Sequence, residues 1–92
     1  MTDAEQIDRA HRARSIMTSD VFTDGIATLE KRYIEAWKDA PTVDLRERAH
    51  IAVRMIEWFV SDLQSVITTG DIAQRRVDEL RGKPIPIAEF RR

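Results

Sequence analysis

The chain has 92 residues, enough for one domain with a modest core. It contains no cysteine, which excludes a disulfide framework and a thiolate zinc site, and 34% of its residues are charged, with a formal net charge of -1. Such a surface exerts no global pull on nucleic acid or anionic membrane, no apolar run reaches the roughly 20 residues needed to cross a bilayer, and the polar start Met1-Thr2-Asp3-Ala4-Glu5 is unlike a signal peptide. The expectation is a cytoplasmic protein without membrane contact.

Glycine and proline sit at the edges of long intervals rich in helix formers, and the intervals read as four helices. The first runs from about Ala4 to Met17, capped by Thr2 or Asp3, with a thin apolar stripe of Ala4, Ile7, Ala10, Ala13 and Met17. The second starts after Ser19 or Asp20 and places Phe22, Ile26, Leu29, Tyr33, Ala36 and Trp37 on one face. Gly25 lies within it and leaves room for a close neighbour, and Pro41 ends it. The third opens at Thr42 or Asp44, where Asp44 with Glu47 resembles a capping box.

Leu45, Ala49, Ala52, Ile56, Phe59, Leu63 and Val66 then recur in alternating steps of four and three, a heptad seam. Val53, Val60 and Ile67 widen it on one side, and Ile51, Met55 and Trp58 on the other, to roughly 220° of the helix. Thr68-Thr69-Gly70-Asp71 reads as a stop and a new start, giving a short fourth helix that ends at Arg81 before Gly82. The alternative is a helix that runs through, because Ala73, Val77 and Leu80 keep the heptad phase of Val66. After it, Lys83-Pro84-Ile85-Pro86-Ile87-Ala88-Glu89-Phe90 reads as an extended tail, since each proline pushes its predecessor toward extended geometry.

The short connection at Pro41 makes helices two and three an antiparallel hairpin. The expected fold is therefore all-α. A hairpin of two long helices is flanked by short N- and C-terminal helices within residues 1–82, and an extended tail covers 83–92.

Catalytic chemistry has little to work with. His11 and His50 lie on different helices among charged residues and read as solvated surface histidines. Pairs such as Glu35 with Asp39 are expected by chance at this charge density, and three isolated glycines build no phosphate loop. The reading is no enzyme, no metal and no cofactor. Arg75, Arg76, Arg91 and Arg92 make the C-terminal segment slightly basic, too small a cluster for tight nucleic-acid binding by one chain but a candidate nucleic-acid or anion contact when multiplied in an oligomer.

The surplus of apolar surface on helix three points to assembly. The hairpin accounts for the Leu45-to-Val66 seam, while the strip of Ile51, Met55 and Trp58 lacks a partner and is the candidate oligomer interface.

Arg12-Ala13-Arg14-Ser15-Ile16-Met17, Tyr33-Ile34-Glu35-Ala36-Trp37-Lys38-Asp39-Ala40-Pro41 and Thr69-Gly70-Asp71-Ile72-Ala73-Gln74 resemble stretches of small helical proteins encoded in phages and prophages. In outline the chain is similar to small terminase subunits, oligomeric rings with a central helical hairpin and C-terminal segments that contact the large subunit. That resemblance implies self-association, a protein partner for the C-terminal tail and a role in DNA packaging, although the helix-turn-helix usual in that class is missing here. The alternative expectation is a phage-encoded module that inhibits a host protein or sequesters a small anionic ligand.

Overall fold

A computed structural model of the chain describes residues 1–82. Three helices account for nearly all of them: α1 (Asp3–Met17), α2 (Asp20–Asp39) and α3 (Val43–Leu80). The expected tail at 83–92, with Arg91 and Arg92, lies outside the described residues. No helix among the described residues is long and apolar enough to cross a membrane.

Each helix start is fixed by a hydroxyl side chain. Thr2 caps α1 by accepting from the Glu5 backbone N–H at 3.1 Å, and the Glu5 carboxylate accepts from the Thr2 backbone N–H at 3.1 Å, a complete capping box. Those hydrogen bonds hold the Glu5 carboxyl below its ordinary value of 4.5. Ser19 caps α2, and its place one residue after Thr18 separates α1 from α2. Thr42, rather than Asp44, caps α3 by accepting from the Leu45 N–H at 3.2 Å. Asp44 instead lies inside the first turn, where its charge suits the helix dipole. Ala40, extended ahead of Pro41, ends α2.

The expected fourth helix is not separate. α3 runs unbroken through Gly70 for 38 residues, about 57 Å at 1.5 Å per residue. Gly70 is there for close approach: it is buried against α1, and a Cβ on it would overlap the Ala10 Cβ and meet the Gln6 carbonyl oxygen at 2.8 Å. Ala10, Ala13 and Ala73 are buried beside it, Ala73 completely. Small residues on both helices thus let their backbones meet. The helix stops at Gly82, whose φ of 66° is the left-handed geometry glycine adopts freely, and its N–H donates to the Glu79 carbonyl. Gly25, by contrast, faces open space, so no neighbour uses its missing side chain.

α1 and α2 lie end to end along α3, antiparallel to it. Across α1 and α3, Arg76 Nη2 donates to Asp3 Oδ1 at 2.8 Å and Arg14 Nη2 to Asp71 Oδ1 at 2.9 Å. Further along, Phe22 meets Phe59 with ring centroids 6.1 Å apart, and Trp37 meets His50 at 5.9 Å. The result is a rod two helices thick, 69 × 26 × 24 Å. Its buried residues are small: Ile67 is the one large side chain among Ala10, Ala13, Ala49, Gly70 and Ala73, and α2 buries none of its residues.

Two outcomes follow. Gly70→Ala should lower stability by about 1–3 kcal/mol through overpacking, against an alanine helix preference of ~1 kcal/mol, and a urea unfolding midpoint at or above the parent's would refute the close approach. Because the folded Glu5 pKa is depressed, the capping box contributes fully above the ordinary carboxyl value and is lost as pH falls through the folded value. Protection of the first-turn amides of α1, taken relative to their intrinsic exchange rates, should therefore fall selectively on acidification, and Glu5→Gln should flatten that dependence.

Candidate functional site

The heptad seam of α3 continues from Leu45 to Leu80, and its neighbours divide the rod into a closed half and an open half. In the closed half Ala10, Ala13, Gly70 and Ala73 bring α1 and α3 into close backbone contact. In the open half, bulky residues on α2 hold the helices together along a line, and their outer flanks remain in solvent.

The open flank is built from both helices. On α3, Ile51, Met55 and Trp58 are 55%, 59% and 57% exposed. They recur in steps of four and three, a second heptad stripe on the side of α3 turned away from α2. The Arg54 guanidinium lies 5.8 Å from the Trp58 ring centroid, a cation–π contact on that surface. Two seam residues join the stripe. Leu45 and Phe59 are 46% and 50% exposed, so α2 does not cover the Leu45-to-Val66 seam as the sequence pattern implied. Phe59 touches Phe22, and Leu29, two helical turns on from Phe22, is exposed on the same side of α2.

Full side chains of these types present 150–250 Å² for the aromatics and somewhat less for the aliphatics, so six of them near half exposure leave about 600 Å² of apolar surface. That equals the upper end of the roughly 300–600 Å² found for the largest apolar patch of a monomer.

The other flank holds apolar and polar groups side by side. Met17, Ile26, Glu30, Ile56, Val60 and Gln64 line a recess of about 430 Å³ there, open to solvent. Nothing encloses it, and a reacting group in it would stay fully hydrated. Among the described residues no three histidine, aspartate or glutamate side chains gather to hold a metal ion.

The basic candidates do not converge. Arg76 is engaged by Asp3, whose hydrogen bond and charge push its pKa above the ordinary arginine value. Arg75 is exposed and has no ion-pair partner among the described residues. His50 stands beside Trp37, and His11 is exposed on α1.

Compared with known proteins, the chain matches no family model, no curated protein and no solved structure.

Proposed function

We propose that this chain is a non-enzymatic assembly protein that completes its apolar core by associating with other chains. The observation that carries the reading is the open half of the rod, where α2 buries none of its residues and Leu29, Leu45, Ile51, Met55, Trp58 and Phe59 form one exposed flank. Two helices side by side cannot surround a side chain, whereas a buried core residue ordinarily touches six to twelve others. A further helical layer on the flank supplies the missing neighbours. Trp58, Phe59 and Met55, with Arg54 over the Trp58 ring, are residue types that interfaces enrich.

A DNA-packaging role of the small-terminase kind adds a nucleic-acid contact to this assembly. Arg75 supports it, and the engagement of Arg76 by Asp3 counts against it. It predicts DNA affinity that falls steeply with salt and depends on the assembled state.

Light scattering across the micromolar range tests the main reading. The expected result is a concentration-dependent oligomer. Trp58→Ala should weaken association by about tenfold or more, as truncation of a central aromatic anchor does, while the helix content stays unchanged. A well-folded monomer at every concentration overturns the reading. So does a Trp58→Ala variant that associates as tightly as the parent.

A further inference from the structure

The open stripe on α3 has an internal symmetry. Met55 stands at its centre, Ile51 lies four residues before it, and Trp58 and Phe59 lie three and four after it. One heptad outward on each side, at the same position of the helix as Met55, opposite charges flank the centre of the stripe: Arg48 before, with Leu45 beyond it, and Asp62 after. We propose that the occupant of the flank is a second copy of this chain, with the two α3 helices packed antiparallel about a two-fold axis through Met55. The inference rests on the assembly reading above and specifies its partner and register.

Three features select this arrangement. A two-fold axis demands a self-complementary surface. Antiparallel pairing about Met55 sets Ile51 at the level of the partner's Phe59, Trp58 at the level of the partner's Ala52, and lets Met55 meet its own copy, so the four large apolar residues at the centre of the stripe all meet apolar groups. The same pairing puts Arg48 opposite the partner's Asp62 on both sides of that centre. A parallel pairing would put Arg48 against the partner's Arg48 and Asp62 against the partner's Asp62. Both charges are available: Arg48 shares only an exposed contact with Asp44, at 3.2 Å, and Asp62 has no ion-pair partner among the described residues.

The second feature is coverage. α2 lines α3 from the Trp37–His50 contact near one end to the Met17–Gln64 recess at the other, so Met55 lies near the middle of the open half. An axis there superposes the two open halves as a four-helix layer and directs the two closed α1–α3 halves outward. The third is area. Ile51, Met55, Trp58 and Phe59 near half exposure supply about 400 Å² of apolar side chain, a core that the charged rim extends toward the roughly 800 Å² per partner of a standard stable interface.

Cysteine substitution and charge reversal test the register in the full chain. The protein has no cysteine, so Met55→Cys introduces a single thiol on the axis. Diamide oxidation of the Met55→Cys protein should give a disulfide-linked dimer within minutes, and Gln64→Cys, on the opposite flank, should not. Arg48→Asp and Asp62→Arg should each raise the dimer dissociation constant about tenfold by setting like charges opposite, and the double variant should return to within about threefold of the parent. Rescue by the double variant also shows that the single variants had not simply misfolded.

Equal cross-linking of Met55→Cys and Gln64→Cys, or no rescue by the double charge reversal, overturns the proposed axis. If light scattering still reports an oligomer, the assembly reading survives that failure. A monomeric parent overturns both.

Discussion

One constraint governs the whole molecule: a single helix of 38 residues is covered by only one layer of helix. Two cylinders touch along a line. Side chains on the line are shielded, and those to either side are half shielded at best. Two layers therefore yield a dry contact only where the backbones come very close. The chain uses that solution once, at Gly70, where small residues let α1 lie directly on α3. Ala10, Ala13 and Ala73 are buried for the same reason: an alanine needs few neighbours to lose its water.

The other half of the rod uses the opposite residue types. Phe22, Ile26, Tyr33 and Trp37 keep α2 at a distance from α3, and none of them is buried. Apart from Ile67, the large side chains of this two-layer structure leave one side in solvent. The contrast between the halves is thus written in side-chain size along one continuous heptad repeat. Small residues close the contact without help, whereas large ones hold binding energy that a further layer releases. The ion pairs Arg14–Asp71 and Arg76–Asp3 belong to the closed half, and as exposed pairs they fix register more than they add stability.

This explains what the sequence could reveal. The helix starts were legible because capping is local chemistry, and Thr2, Ser19 and Pro41 act within a turn of where they stand. At Thr42 and Asp44 two candidate caps lie two residues apart, and a local pattern cannot rank them. Gly70 was ambiguous because glycine serves equally as a helix stop and as a point of close approach. What decides is Ala10, 60 residues away on another helix. The continued phase of Ala73, Val77 and Leu80 was the signal for an unbroken helix. Leu45 and Phe59 were misjudged as covered because periodicity names the face of a helix but not the number of neighbours it has. The exposed flank is consequently wider than Ile51, Met55 and Trp58 alone.

The charges beside the centre of the flank matter as much as the centre itself. An exposed apolar stripe on a rod invites head-to-tail growth, because any patch that fits elsewhere on the same surface can propagate. Here Arg48 and Asp62 flank the centre of the stripe on either side along the helix. Sliding the two rods along each other would bury one of these charges against Ile51 or Trp58 without a partner. A charge placed in an apolar contact costs far more than an exposed ion pair returns. In the proposed dimer, one closed arrangement is thus favoured over a ladder of offset ones, and the two residues that would enforce this are Arg48 and Asp62.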